Sequence, residues 1–478
     1  MADSARRDPM NFASQHDTIV AIATPPGTGG IGVVRLSGDE AQDILEHIWR
    51  GKTCVEDFEP RKLYYGEVLG KTGTAIDQVM AVFMPAPYTY TGEDIVEISC
   101  HGSPLLLQQV VEAAMACGAR HAEPGEFTKR AFLNGKLDLS QAEAVASLIH
   151  ATSDQAAKLA KRQLEGRLSS QVESLHDRLT KLRAFVEATV DFPEDDVEFL
   201  AQEGVLQKLA EIEVELIHLA QSFEQGSVIR DGVRVALIGK PNAGKSSLLN
   251  HLAGYERAIV HHEPGTTRDT LELSVSLNGI LFHLVDTAGL RTTGNTVEGI
   301  GVERSLKELQ RADIVLVLID GSEDFADDEF ELYPIHECAN ILFAFTKSDL
   351  QQKIETENIF HLCANKLSTS VSALDFIHVS AKTGFGMKQL TSRLAQVFSE
   401  SFQDEASGAV VTSKRHKDAL EKTISSLAEA KQSLQNQESV EFAAHHLRLS
   451  QESLGRIIGR DFTEDMLDAI FSEFCIGK

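Results

Sequence analysis

The sequence predicts a multidomain protein: an α+β domain at the N-terminus, a discontinuous α-helical domain, and an α/β P-loop domain inserted into the helical one. Three features lead there. β-rich runs broken by Gly and Pro fill residues 17 to about 120; apolar residues at helical spacing start near Gln141 and return after Lys414; between them, strands alternate with helices from near Gly226 to about Phe398. The termini of a compact domain often lie close together, so one domain can be spliced into another without breaking either core. The expected boundaries are 1–133, 134–228, 229–398 and 399–478.

In chain order, the N-terminal domain is expected to hold strands at Thr18–Ala23, Gly32–Leu36, Val79–Phe83 and Ile95–Ser99, with one helix from Pro104 to Met115. The helical stretch carries Leu148, Leu159, Leu164, Leu168, Leu175, Leu179, Leu182 and Val186 as a core-packing stripe, broken near Asp191-Phe192-Pro193. The tail repeats this texture with Leu420, Ile424, Leu427, Phe442, Leu447, Leu454, Ile457 and Ile458.

Bulk properties exclude several classes. A 478-residue chain with 42% apolar and 24% charged residues has the composition of an ordinary soluble protein, and no apolar run is long enough to span a membrane. Residues 1–16 lack the apolar core of a secretory signal. Six cysteines without a C-x-x-C pair point to free thiols in a reducing compartment, so a cytoplasmic location is expected. A formal charge of −26 disfavours nucleic-acid binding over the whole surface, though not at a local patch. Lys414, Arg415 and Lys417 form one basic run, and Arg448, Arg456 and Arg460 another; the plainer reading of both is a solvated helix face.

The strongest chemical signal is Gly239-Lys-Pro-Asn242-Ala243-Gly244-Lys245-Ser246, placed between an apolar strand (Val233–Ile238) and a helix opening with Ser247. This spacing turns consecutive backbone N–H groups toward phosphates, lets Lys245 reach the β- and γ-phosphates, and offers Ser246 to Mg²⁺. Asp286-Thr287-Ala288-Gly289, after a strand at Leu281–Val285, is placed to sense the γ-phosphate. Between them, Gly265-Thr266-Thr267 is the natural first switch, with Thr267 completing the Mg²⁺ shell; His261, His262, Glu263 and Pro264 lead into it. Thr346-Lys347-Ser348-Asp349 chooses the base, because the Asp349 carboxylate can accept from both N1–H and N2 of guanine. Ser380-Ala381-Lys382 supplies a backbone N–H for the 6-oxygen. Thr346 replaces the usual Asn, and one hydroxyl cannot serve as both amide and carbonyl, so weaker nucleotide binding is expected.

Leu290 stands where Ras-like GTPases carry the water-orienting glutamine. Glu298 is either the group that orients the attacking water or a solvated acid of its loop; its chemistry alone does not choose. Asn242 could help hold a monovalent cation where an arginine finger would otherwise sit.

Other motifs carry a resemblance to a known family. Asp17-Thr-Ile-Val-Ala-Ile-Ala-Thr-Pro-Pro-Gly27, Gly29–Gly32, Tyr90–Glu97, Cys100-His-Gly102, Pro124–Thr128, Arg130–Lys136 and the closing Cys475-Ile-Gly-Lys478, taken in order over nearly the full length, resemble the tRNA-modifying GTPases of the MnmE (TrmE) family. The resemblance implies a dimerising N-terminal domain that binds 5-formyl- or 5,10-methylene-tetrahydrofolate, with Arg35, Glu97, Lys136 and Lys478 at folate-site positions. It implies a potassium-stimulated GTPase, with Asn242, His261, Glu263 and Thr266 at potassium-site positions and Glu298 as catalytic acid. It further implies a homodimer working with an FAD-containing partner, MnmG (GidA), in a heterotetramer on the wobble uridine of certain tRNAs, where a carboxymethylaminomethyl or aminomethyl group would be added at C5. Cys475 reads as a functional thiol near the folate site or as an inert cysteine. The competing function is a regulatory or ribosome-associated GTPase switch without tRNA chemistry; the N-terminal motifs argue against it, since a pure switch has no use for them.

Overall fold

The computed structural model describes residues 17–191, 198–254, 272–286, 309, 311–325, 340–354, 359, 376–401, 408–436 and 439–478, with the side chains of 189–203, 272 and 398–401 left aside. The chain forms two compact units, one of residues 1–146 with 455–478 and the other of residues 147–454.

The first unit is built on a seven-stranded sheet in the order β3-β4-β5-β6-β2-β1-β7. Its strands are β1 (Ile19–Ile22), β2 (Gly29–Ser37), β3 (Trp49–Gly51), β4 (Tyr64–Leu69), β5 (Ala75–Met84), β6 (Ile95–Gly102) and β7 (Arg120–His121). Only the β1–β7 pair is parallel. Alternation decides which face each side chain meets. Val34 and Leu36 of β2 and Val79, Ala81 and Phe83 of β5 turn toward helices α1 (Ala41–Ile48) and α2 (Pro104–Ala116), whose Ile44, Leu45, Val110 and Val111 close the core. Pro104 starts α2, where its missing N–H costs nothing. Ile19 and Ala21 of β1 face the other way and pack with Ala122, Phe127 and Tyr90.

Two short helices, α3 (Glu126–Leu133) and α4 (Leu139–Ile149), lead out of this sheet. The C-terminal segment meets them: Leu467 and Phe471 of a helix at Glu464–Phe471 pack with Phe132, Leu139 and Ala142, together with Phe474. The chain then bridges Ile476 to Pro124, and Gly477 (φ +92°) lies so close to β1 that a Cβ would stand 2.2 Å from the Ile22 carbonyl oxygen.

In the second unit, α5 (Asp154–Leu164), α6 (Arg167–Asp191) and α7 (Glu198–Asp231) precede the α/β block. The expected apolar stripe holds from Leu168 through Leu175, Leu179, Leu182 and Val186, all buried, whereas Leu148 is 37% exposed and Phe442, from the tail's stripe, 57% exposed. Both lie on the solvent side of helices whose neighbouring turns carry the core contacts. Strands β8 (Val233–Ile238), β9 (Glu272–Leu277), β10 (Ile280–Asp286), β11 (Ile314–Asp320), β12 (Ile341–Thr346) and β13 (Phe376–His378) form a six-stranded sheet in the order β13-β12-β11-β8-β10-β9. All neighbours are parallel except β9 and β10. The near-continuous apolar sequences of β10, β11 and β12 suit a sheet covered on both faces, whereas the antiparallel β9 alternates. Leu248, Leu249 and Leu252 of α8 (Lys245–Ala253) and Leu390 and Leu394 of α9 (Met387–Ser401) cover one face; Phe343, Phe345 and Phe376 belong to the core on the other.

After the block, α10 (Lys414–Gln435) packs along α7, and α11 (Val440–Ile458) and α12 (Glu464–Phe471) complete the chain. Gly226, inside α7, sits where a Cβ would come 2.0 Å from the Val411 carbonyl oxygen, and the Val411 amide donates to Ser222 Oγ at 3.0 Å. The segments entering and leaving the α/β block therefore cross in direct contact.

Candidate functional site

Parallel strands β13, β12, β11, β8 and β10 all end at one edge of the second sheet, and Asn242–Ser247, Asp286, Thr346, Lys347, Asp349 and Ser380–Lys382 lie on the segments that leave it, as expected for ligand sites of open α/β sheets. The chain leaves β8 through Gly239 (φ +157°), where a Cβ would lie 2.5 Å from the Leu318 carbonyl oxygen, so β11 excludes any side chain. Asn242 (φ +65°) and Gly244 (φ +92°) complete the curl, and Gly244 caps α8. Ala243 is buried beneath it, while Ser246 and Ser247 are exposed on the first helical turn.

Lys245 turns its ammonium into this curl, donating to the carbonyls of Gly239 at 2.6 Å and Lys240 at 2.9 Å. Burial draws its pKa down, against the opposing pull of the Asp286 carboxylate. Asp286 is only 6% exposed at the end of β10, in register with Leu237 of β8. The Ser246 hydroxyl and the Asp286 carboxylate are hard oxygen donors of the kind magnesium takes.

On the other side of the loop, Thr346 ends β12, buried, with its hydroxyl directed to the Ala243 carbonyl. Lys347 (φ +55°) is ion-paired with Asp320 at the end of β11, whose second oxygen accepts from the Ser322 hydroxyl at 2.7 Å and amide at 3.0 Å. Asp349 accepts from Ser380 Oγ at 2.7 Å; that hydrogen bond, with the nearby Lys382, holds its carboxyl below the usual carboxylate range. The Ser348 amide donates to the Val379 carbonyl at 3.1 Å, joining the Thr346–Asp349 turn to the loop carrying Ser380, Ala381 and Lys382.

The sequence reading missed Asp320. Its only visible signal is an acid ending an apolar strand; in the fold it pairs in register with Thr346. Glu298, His261, His262, Glu263, Pro264, Gly265, Thr266, Thr267, Thr287, Ala288 and Gly289 lie outside the described residues.

The first unit holds a separate constellation. Arg35 of β2 and Glu97 of β6 are cross-strand partners, and the guanidinium binds the carboxylate at 2.8 Å. The same guanidinium lies 5.7 Å from the Phe127 ring centroid and 3.5 Å from the Gly477 carbonyl oxygen. Two of the expected folate-site residues therefore meet beside the segment that ends in Lys478. Lys136 is placed beside the Tyr88 ring, 5.9 Å from its centroid. Cys475 is exposed, and its carbonyl accepts from the Gly125 amide at 3.3 Å. Arg35 and Glu97 are partly exposed, a cation and a carboxylate that fit a ligand carrying both an acidic group and N–H donors, while the fully buried Phe127 ring backs the guanidinium.

The same unit carries an ion network. Arg120 binds Asp17 at 2.6 Å and Glu126 at 2.5 Å; Arg130 binds Asp17 at 2.8 Å, Glu126 at 2.9 Å and Glu93 at 3.3 Å. Burial alone would raise Glu126, but hydrogen bonds from Arg120, the Glu123 amide and Arg130 outweigh it and hold the carboxyl below its ordinary value. Among the described residues no cluster of three or more His, Cys, Asp or Glu could hold a metal ion, and no helix is long and apolar enough to cross a membrane.

Comparison with known proteins gives concordant matches. The family described as MnmE helical domain matches residues 139–475, and GTP-binding protein TrmE N-terminus matches residues 18–136. The tRNA modification GTPase MnmE of Syntrophus aciditrophicus (strain SB) is 42% identical over 463 residues, covering 97% of this chain and 99% of that protein. The protein of the same description from Clostridioides difficile (strain 630) is 40% identical over 464 residues, and that from Shewanella sediminis (strain HAW-EB3) 41% over 472; each match covers 97% of this chain and 99% of the relative.

Proposed function

The chain belongs to the MnmE family of tRNA modification GTPases, and on that premise we propose that it couples GTP hydrolysis to modification at C5 of the wobble uridine of certain tRNAs, with an FAD-containing partner of the MnmG (GidA) kind. The group added would be carboxymethylaminomethyl or aminomethyl. As a GTPase, the chain has its chemistry at the edge of the second sheet. The observation that carries the nucleotide reading is the Asp349 carboxylate, tied by Ser380 to the loop that would offer amides to the base. Guanine presents two donors to that carboxylate, whereas adenine presents an acceptor at N1, so guanine is selected.

Lys245 and the N-terminus of α8 bind the phosphates, with the lysine exchanging two loop carbonyls for phosphate oxygens. Ser246, Asp286 and Thr267 would hold Mg²⁺, which supplies charge neutralisation at the phosphates. Glu298 orients and deprotonates the attacking water. Asn242, His261, Glu263 and Thr266 are assigned to a potassium ion, which supplies a positive charge of the arginine-finger kind.

In the first unit, Arg35 and Glu97, with Lys136 and Lys478, would hold a tetrahydrofolate, which supplies a one-carbon unit. Arg35 suits the ligand's carboxylate and Glu97 its ring N–H donors. Cys475, exposed on the segment that also brings Gly477 to Arg35, is the thiol available there. We assign the chain to a homodimer that joins its partner in a heterotetramer in the cytoplasm.

The test is mass spectrometry of wobble uridines from cells lacking the gene and from cells in which this chain restores it. Loss of the C5 substituent with recovery on restoration is expected. Unchanged uridines would leave a regulatory GTPase switch as the better account.

A further inference from the structure

His251 stands on the last turn of α8, the helix that begins at the phosphate loop, and its Nδ1 lies 2.8 Å from the carbonyl oxygen of Ala381. A carbonyl oxygen only accepts, so the ring carries a proton on Nδ1. The Ala381 carbonyl and the Lys382 N–H belong to one planar peptide, and anchoring the carbonyl fixes the direction of that N–H. The Ala381 N–H, one Cα away, is constrained with it.

The same loop is held from its opposite end. Ser380 Oγ donates to Asp349 at 2.7 Å, the Thr383 amide donates to Ser380 Oγ at 3.2 Å, and the Gly384 amide closes on the Ser380 carbonyl at 2.8 Å. A Cβ on Gly384 would lie 3.6 Å from His251 Cε1, so the imidazole fills the remaining side at van der Waals distance. Asp349 accounts for the N1–H and 2-amino group of guanine. The 6-oxygen needs a donor from this loop, and a loop amide serves only if its peptide plane is fixed.

We propose that His251 is a positioning residue for guanine, locking the Ala381–Lys382 peptide so that the loop amides face the 6-oxygen of the base. This rests on the guanine-nucleotide reading above. Although His251 belongs to the phosphate-loop helix, its effect falls on the base and not on the phosphates.

The experiment is calorimetric binding of GDP, IDP and 6-thio-GDP to the full chain, to His251→Ala and to His251→Asn. GDP and IDP keep the 6-oxygen, and the Ala variant should bind each about fivefold more weakly, the ordinary net worth of one neutral hydrogen bond. 6-Thio-GDP, whose sulfur is a weak acceptor, should lose distinctly less. Asn places an amide donor near the position of Nδ1 and should restore GDP binding. Equal weakening of all three nucleotides in the Ala variant would overturn the proposal, as would unaltered GDP binding. So would an Asn variant as weak as Ala at a matched melting temperature. Failure of the unsubstituted chain to bind any of the three would instead remove the guanine reading itself.

Discussion

Thr346 Oγ1 donates to the Ala243 carbonyl at 2.8 Å, joining the Thr346–Asp349 turn directly to the glycine-rich loop after β8. The Ile319 carbonyl lies 3.2 Å from the same hydroxyl, so one proton serves two buried acceptors. Threonine has one proton to donate where the usual asparagine amide has two. Thr346→Val keeps the shape and removes the proton, leaving a buried carbonyl unsatisfied. The G domain should lose about 1–3 kcal/mol of stability in denaturant unfolding, while Thr346→Ser should retain most of it. Equal midpoints for the valine variant and the parent chain would show that the link carries no weight.

Asp349→Asn should move base preference from guanine toward xanthine. An amide can donate to the 2-oxygen of xanthine, where the carboxylate could only repel it. GDP affinity should fall by about a hundredfold, the combined effect of two charge-assisted hydrogen bonds. XDP should gain. Calorimetry with both diphosphates decides, and an unaltered GDP-to-XDP ratio would place base selection elsewhere.

Glu298→Ala should lower kcat by about a hundredfold or more, the usual scale of general-base catalysis, with nucleotide affinity nearly unaltered. Collapse of binding together with turnover would make Glu298 a structural residue. In the same assay, sodium in place of potassium should slow hydrolysis.

Arg130→Met should destabilise the first unit by about 3–5 kcal/mol, because it strands Asp17, Glu93 and Glu126 with one guanidinium fewer in a largely buried network. The network also fixes an acid response. The Glu126 carboxyl is held below its reference value of 4.5 and that of Asp17 below 3.8. Their contribution is complete above those values and is lost as pH falls through the lowered native ones. Unfolding midpoints should therefore stay level down to about pH 4.5 and then drop. The Met variant should show a shallower drop.

The described part of the candidate nucleotide site was legible because its parts are local. A strand, a glycine-rich turn and a helix at 233–253 dictate their own geometry, and Asp286, Thr346, Asp349 and Ser380 each follow an apolar strand that the sequence marks. The Asp320–Lys347 and His251–Ala381 contacts were not legible. Each joins side chain to partner across the sheet or from helix to loop, and nothing in the local pattern distinguishes Asp320 from any acid at a strand end. In the first unit, β1, β2, β5, β6 and α2 were visible from their apolar runs and from Pro104, whereas β3, β4, β7 and α1 were not. The packing of Phe471 and Phe474 on residues near 130 was hidden, because apolar spacing marks a buried face without naming its partner.

The Gly226–Val411 crossing makes the α/β block a cassette whose entry and exit share one narrow doorway, while the Gly279 carbonyl of the β9–β10 turn also accepts from the Gln155 amide of α5 at 3.4 Å. A foreign reporter domain whose own ends adjoin, exchanged for residues 233–401, should leave α7 and α10 paired and yield a chain that folds without any nucleotide. A bulkier residue at 226 would wedge the doorway open whatever lies beyond it, and so would loosen cassette and frame together.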